Sequence, residues 1–379
     1  MNNKVFWCKN CLNMSTRPRI EFDEDQICNA CKWAEEKQKF DFSEREKILK
    51  EALDKYRNPE GFDCIVPVSG GKDGSYVSYK LKEEYNMNPL TVTIRPALEL
   101  DLGSKNLLNF INSGFNHIHV TPDPNVMQAL NKYGFIYKGF PYYGWLITIH
   151  TAVIRMATSL GISLLFYGED GEIEYGGSTE HKDKAFYGID YMKSVYLEGG
   201  YEKVLDKVKN DYGFSEGQMY FWKFPGDDEI KSKDLKFTHW SFYESWDPYR
   251  NYTVAKENCG LEEKEFTNPG TFTNFAQNDQ ALYALHAYLM YLKFGFGRAT
   301  QDAGIEIRRG AMSRDQALNL VKLYDNNYPE EFEEDYLEYY DMTKEEFDTV
   351  LAKWANKDLF ELKNGRWSPK FEVDNPFEI

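Results

Sequence analysis

Apolar residues recur along this chain at two spacings, and each predicts an element. The run Phe62–Val68 (FDCIVPV) is short, apolar and closed by Ser-Gly-Gly, as expected of a buried parallel strand. YVSYKLKEEY then places Tyr76, Val77, Tyr79, Leu81 and Tyr85 at helical intervals. A second strand is read in PLTVTIRP (89–96), a helical stretch over Asn106–Ser113, and a third strand in NHIHVTP. WLITIHTAVIRMATSL repeats apolar residues at Trp145, Leu146, Ile149, Val153, Met156 and Leu160, which predicts a buried helix with His150 as a core residue, and ISLLFYG supplies a fourth strand. Alternating strands and helices predict an α/β fold, a doubly wound parallel sheet with helices on both faces. Its ligand belongs outside the carboxyl ends of the strands, where Ser69 and Arg95 emerge.

From Ser178 to Gly270 the periodicity fades and aromatic residues crowd, as in QMYFWKFPGDDEIK and THWSFYESWDPYRNY. This reads either as an inserted substrate region, whose rings stack on sugar or base faces, or as a loop-rich cap packed by its own rings. His181 and His239 show no metal-ligand pattern with each other. Gln277–Leu292 is apolar almost all round and predicts an interior helix. YPEEFEEDYLEYYDMTKEEFD (328–348) alternates acid with aromatic residues, as a solvated helical pair with inward-facing rings does. The expected units are a zinc ribbon over residues 1–40, an α/β core over 41–180, an aromatic-rich insert over 181–270 and a helical region over 271–379.

The first unit is set by cysteine spacing. Four of the six cysteines form two pairs, Cys8 with Cys11 and Cys28 with Cys31. A two-residue gap lets a tight turn aim two sulfurs at one ion, and two such knuckles fill a tetrahedral zinc shell. A shell of four thiolates leaves no position for activated water, so this zinc is expected to be structural. The alternatives are two disulfides or a redox pair, and a cytosolic setting disfavours disulfides. Cys64 and Cys259 remain, and Cys64 lies in an apolar run, which indicates burial.

Charge narrows the partners. Lys and Arg total 45 against 61 Asp and Glu, a net of -16, which disfavours a broad nucleic-acid-binding face. No apolar run approaches the length of a membrane span, and MNNKVFWCKNC lacks the pattern of a signal peptide, so a cytoplasmic location without membrane insertion is expected.

Between the first strand and its helix stands Ser69-Gly70-Gly71-Lys72-Asp73-Gly74-Ser75. Glycines let backbone approach a polyanion, amide groups point inward, and a helix N-terminus adds partial positive charge. The spacing is neither Walker A nor GxGxxG. SGGKDGS resembles the SGGxDS pyrophosphatase loop of the adenine nucleotide alpha-hydrolase-like (PP-loop) ATP pyrophosphatases, which cleave ATP to AMP and pyrophosphate. The resemblance implies a Rossmann-like core in which Ser69, Gly70, Gly71, Asp73, Gly74 and Ser75 surround the pyrophosphate, with adenosine near Thr93, Ile94 and Arg95 after the second strand. Gly74 stands where that family has serine, which leaves open whether Ser69 or Ser75 contacts a given phosphate.

The fourth strand ends in Glu169-Asp170-Gly171-Glu172-Ile173-Glu174, four carboxylates that would repel one another unless a cation balanced them. Magnesium bridging ATP phosphates is one such cation. Basic residues gather later at Lys293, Arg298, Arg308, Arg309 and Arg314. Arg298 follows two glycines at a loop-to-helix position, where it faces anions, whereas Arg309 and Arg314 read as surface. The expected catalytic set is Lys72, Asp73, Glu169, Asp170, Glu174 and Arg298.

The knuckles, SGGKDGS, FYGEDGEIEYGG, HWSFYESWDPYRNY, GTFTNFAQNDQ and KFGFGRATQDAGIEIRRG together resemble the N-acetyl sugar amidotransferases of bacterial surface-glycan pathways, over nearly the whole chain. That resemblance implies conversion of an acetamido to an acetamidino group on nonulosonic acids (pseudaminic or legionaminic type) or lipopolysaccharide sugars, with ATP, magnesium and structural zinc. It also implies ammonia from a glutaminase partner resembling the two-subunit imidazole glycerol phosphate synthase. Two other readings stay open. A PP-loop tRNA thiolase shares the ribbon and loop but generally needs further sulfur-carrying cysteines, and a zinc-ribbon adaptor would bind nucleotide without turnover.

Overall fold

A computed structural model describes residues 4–197 and 199–379. Nine strands occur among them: β1 (Lys4–Val5), β2 (Cys64–Pro67), β3 (Pro89–Ile94), β4 (Asn116–Val120), β5 (Leu164–Tyr167), β6 (Lys236–His239), β7 (Phe360–Lys363), β8 (Arg366–Pro369) and β9 (Phe377–Glu378). β2 to β6 form one five-stranded sheet in the order β4-β3-β2-β5-β6, with every pair parallel. The chain therefore steps outward from β2 through β3 and β4, then returns to lay β5 on the other side of β2. That reversal opens a crevice at the carboxyl ends of β2 and β5.

The period of two along each strand divides the core into layers. Cys64, Val66, Leu164 and Phe166 face one layer with Leu49, Leu53, Tyr76, Leu107 and Phe110. Ile65 and Leu165 face the other with Val92, Ile94, Ala152, Val153 and Phe237. Helices Phe42–Tyr56, Lys72–Tyr79 and Asp101–Asn112 supply the first layer and Tyr143–Leu160 the second. The α/β class with a parallel sheet is thus the one that the spacing of apolar residues predicts.

Boundaries shift where caps decide them. The helix after the glycine loop begins at Lys72, four residues before its first apolar position, because Gly71 is its N-cap, and it continues through a π-turn over Lys80–Glu84. The interior helix starts at Leu282, since Gln277 lies in the left-handed region at φ 59°. The segment 181–270 is more regular than its sequence indicates. It contains helices Tyr201–Tyr212, Asp227–Ser232 and Pro248–Cys259, and its β6 pairs with β5 from Leu164↔Lys236 to Tyr167↔His239. Four residues flanked by aromatic ones carry too little periodicity to reveal such a strand.

The acidic stretch forms the helical pair its pattern predicts, Glu333–Tyr340 and Lys344–Trp354. Tyr336, Tyr340 and Phe347 are fully buried, while Glu334, Asp335 and Glu338 stay exposed. Thr343 and Glu346 close a capping box at the start of the second helix. At the opposite end of the sequence, β1 pairs antiparallel with β9. Among the described residues no helix is long and apolar enough to cross a membrane.

Candidate active site

β2 runs straight into the glycine loop, and two of its three glycines lie close against neighbouring backbone. Gly70 has φ 77°, and a Cβ on it would lie 2.4 Å from the Leu107 backbone nitrogen. Gly74 faces the strand, where a Cβ would sit 3.0 Å from both the Pro67 carbonyl oxygen and the Val68 Cα. A side chain at 74 would press on the end of β2, which would have to yield by a few tenths of an ångström. Ser75 Oγ is buried without a hydrogen-bond partner, so it is Ser69 whose side of the loop lines the cavity beyond.

That cavity, about 300 Å³, is walled by Ser69, Lys72, Asp73, Asn106, Glu169, Asp279 and Arg298 among others. An apolar slot of about 190 Å³ adjoins it, lined by Val68, Thr93, Ile94, Trp145, Ile149 and Tyr167. Ser69, Gly103, Asp279 and Tyr283 belong to both. In the polar cavity the Lys72 ammonium pairs with the Asp73 carboxylate, and Asn251 Nδ2 donates to Asp73 Oδ1 over 3.3 Å. Burial, with the Asp73 charge adding to it, holds the Glu169 carboxyl above the usual carboxylate range while Lys72 opposes the shift. Tyr175 Oη donates to Glu169 Oε1 at 3.4 Å. Arg298 opens the helix Arg298–Arg308, contacts Asp302 Oδ1 at 2.8 Å through Nε, and lies 5.8 Å from the centroid of the Tyr175 ring. Lys72, Asp73, Glu169 and Arg298, far apart in sequence, thus meet around one space. Thr93 and Ile94 meet the slot beside it.

The remaining expected residues point elsewhere. Arg95 is exposed at the end of β3 and pairs with Glu99 at 3.1 Å. The acidic segment does not converge on one cation, and this corrects the expectation drawn from its sequence. Glu172 pairs with Arg19 at 2.6 Å. Glu174 pairs with Lys37 at 2.7 Å and accepts from Trp33 Nε1 at 3.3 Å. Asp170 caps the short helix Gly171–Tyr175 and stands 3.8 Å from His239 Nδ1, its carboxyl pushed up to about 6 by burial. Cations from the N-terminal ribbon relieve the repulsion, and of the four only Glu169 faces the loop.

Sequence reasoning missed the opposite wall. Asn278 and Asp279 lie in a turn crossing the helix Asp101–Asn112 so closely that a Cβ on Gly103 would be 2.4 Å from Asp279 Cα. Four consecutive polar residues, Gln277 to Gln280, directly before an apolar helix were the available signal. Asp279 Oδ2 is buried without a partner, and burial pushes the carboxyl up to about 7. Below about pH 4 folded and unfolded forms both hold this proton. Between there and about 7 the unfolded chain releases it first, so stability falls as pH rises through that window and stays lower above it. Asp170 and Asp325, each pushed up to about 6, act in the same direction. Asp279→Asn is expected to shrink the loss of melting temperature between about pH 4.5 and about pH 7.5. An unchanged pH slope would refute the assignment.

Cys8, Cys11, Cys28 and Cys31 converge with their sulfurs all within 4.8 Å of one another. All four are buried and free of disulfide bonds. The edge of a zinc tetrathiolate is about 3.8 Å for Zn–S bonds of about 2.3 Å, and Cys8 to Cys31 measures 3.8 Å, Cys11 to Cys28 3.5 Å. Asn10 Nδ2 and the Cys28 amide donate to sulfur at 3.3 Å each, as thiolates require. The donor set is compatible with structural zinc. Ribbon and core are further stitched by Asn13 Nδ2 to the Tyr175 carbonyl and Asn29 Nδ2 to that of Gly177.

Residues 269–372 match the family model of the C-terminal domain of LPS biosynthesis proteins that are WbpG-like. The matched stretch contains Phe275 to Asp279, Tyr283 and Arg298, the wall that faces the glycine loop. The match supports a role in glycan biosynthesis. No curated protein matches the chain.

Proposed function

We propose that the protein is an ATP-dependent N-acetyl sugar amidotransferase, exchanging the oxygen of an acetamido group for nitrogen in the synthesis of a bacterial surface glycan. The observation that carries this reading is one cavity in which a glycine loop at a helix N-terminus, Lys72 and Arg298 face each other beside an apolar slot. Triphosphate charge suits the cavity and a purine suits the slot, against Thr93, Ile94 and Trp145.

In the proposed reaction the amide oxygen attacks the α-phosphorus of ATP, breaking the α–β phosphoanhydride bond and releasing pyrophosphate. Ammonia adds to the O-adenylated carbon, AMP leaves with the former amide oxygen, and loss of a proton gives the amidine. An amide oxygen is a poor leaving group until it is adenylated, so positioning and charge stabilisation do most of the work. Lys72 and Arg298 balance charge on the phosphates, and Asn251 keeps Asp73 oriented. Asp73 and Glu169 are the donors that fit magnesium, which would hold the departing pyrophosphate and relieve their mutual repulsion. Asp170 and Glu174 have no part in this reading. A glutaminase partner is the proposed source of ammonia.

The thiolase reading loses support from the remaining thiols. Burial pushes both Cys64 and Cys259 up, the latter to about 11, and neither lines the cavity. The test is incubation with ATP, magnesium, ammonium and free or nucleotide-linked acetamido sugars. AMP release with a fall of roughly one dalton in sugar mass is expected from exchange of oxygen for NH. Absence of AMP with every sugar would overturn the proposal.

A further inference from the structure

Two arginines around the ribbon lack the carboxylate partners that buried guanidinium groups require. Arg308, the last residue of the helix that begins at Arg298, donates from Nη2 to the Glu174 carbonyl at 2.9 Å, while its Nη1 is sealed from solvent with no hydrogen-bond partner. Arg17 has its Nη1 in the same condition, and its guanidinium rests against the rings of Tyr175 at 5.9 Å and Phe296 at 5.3 Å. Among the described residues neither forms an ion pair with a carboxylate, whereas Arg314 nearby is neutralised by Asp374 at 2.6 Å.

The nearby group able to balance Arg308 is the cysteine cluster, whereas Arg17 feels the Glu172 carboxylate that pairs with Arg19. Helix Arg298–Arg308 passes close beside the cluster, for a Cβ on Gly304 would lie 3.5 Å from the Cys11 carbonyl oxygen and 2.9 Å from Arg308 Nη1. Four thiolates around a divalent ion carry a net double negative charge. Four protonated thiols carry none.

We propose that the metal–tetrathiolate cluster is the counter-anion of Arg308, and that this arginine is a positioning residue linking metal occupancy to the order of segment 169–177. The coupling has a short material path. Arg308 holds the carbonyl of Glu174; the next residue, Tyr175, packs against Arg17 on one hand and Arg298 on the other, and its hydroxyl binds Glu169 in the cavity. With metal absent, the half-buried Arg308 guanidinium loses its balancing charge and the contacts it makes become unfavourable. The inference concerns the metal and the segment and does not depend on which reaction the cavity performs.

The test uses the full-length chain loaded with zinc. Arg308→Met is expected to release zinc to a chromophoric chelator at least about tenfold faster than the unaltered protein, and Arg308→Lys, which keeps the charge, to restore most of the retention. Amide hydrogen exchange should show segment 169–177 losing protection in Arg308→Met and in the chelated unaltered protein alike. Should Arg308→Met fail to fold, Gly304→Ala decides, since one methyl group displaces the guanidinium without removing charge and should hasten release as well. Equal zinc retention in Arg308→Met, or in Gly304→Ala where that variant decides, would overturn the proposal. Equal losses in the Met and Lys variants would assign Arg308 to packing and overturn it too, as would protection of 169–177 that ignores chelation.

Discussion

Asp73→Ala is expected to reduce AMP formation by about two to three orders of magnitude, the size of effect seen when one preorganised charged or polar group is taken from a developing phosphate charge. The carboxylate fixes the Lys72 ammonium from one oxygen and receives Asn251 Nδ2 on the other, and it stands against Glu169 across the cavity. Removing it frees the lysine and halves the pair of carboxylates available to a divalent ion. Its side chain is 26 % exposed and belongs to no apolar layer, so the melting temperature should change little. Rates of AMP release at saturating ATP, with circular dichroism melts beside them, separate the two effects. A folded variant with undiminished rate would exclude the loop from catalysis.

Cys28→Ser is expected to lose zinc and to unfold the ribbon, because metal binding in such modules contributes on the order of 10 kcal/mol of folding free energy. Cys28 is fully buried, faces Cys11 at 3.5 Å, and receives Asn13 Nδ2 at 3.5 Å. Serine supplies a harder, less acidic ligand in its place. The damage should spread, since Arg19, Asn29, Trp33 and Lys37 all reach the segment after β5. Metal content by elemental analysis and limited proteolysis near residues 38–41 would report it. Full zinc occupancy with an intact ribbon would refute the cluster as a folding element.

Much of the fold was legible because β2, β3 and β5 are apolar runs bounded by glycine or proline, and the loop between β2 and its helix is written in consecutive residues. That Lys72, Asp73, Glu169 and Arg298 share one cavity has a related reason: each stands at or near a strand or helix end, where the topology directs side chains to one crevice. What failed was pairing across long separations. The acidic run after β5 looks uncompensated in sequence, and its cations stand 153 and 137 positions earlier, at Arg19 and Lys37. Asp279 was missed because a charged residue in a polar turn gives no sign of burial, and burial there comes from the passage beneath Gly103.

The order of strands carries a consequence for how the molecule assembles in time. The four ribbon cysteines span only 23 positions, so their loop closes early and cheaply once metal is present. The centre of the sheet instead joins Ile65 to Leu165, and its edge waits for Lys236 to His239. The surfaces that receive the ribbon come in two instalments, the segment Glu172–Gly177 after β5 and, last of all, Arg308 and the strand Phe377–Glu378. During synthesis from the N-terminus the ribbon is therefore a finished piece that meets the segment after β5 first and its last partners only when the chain is nearly complete, so the completion of its docking should be a late step of folding.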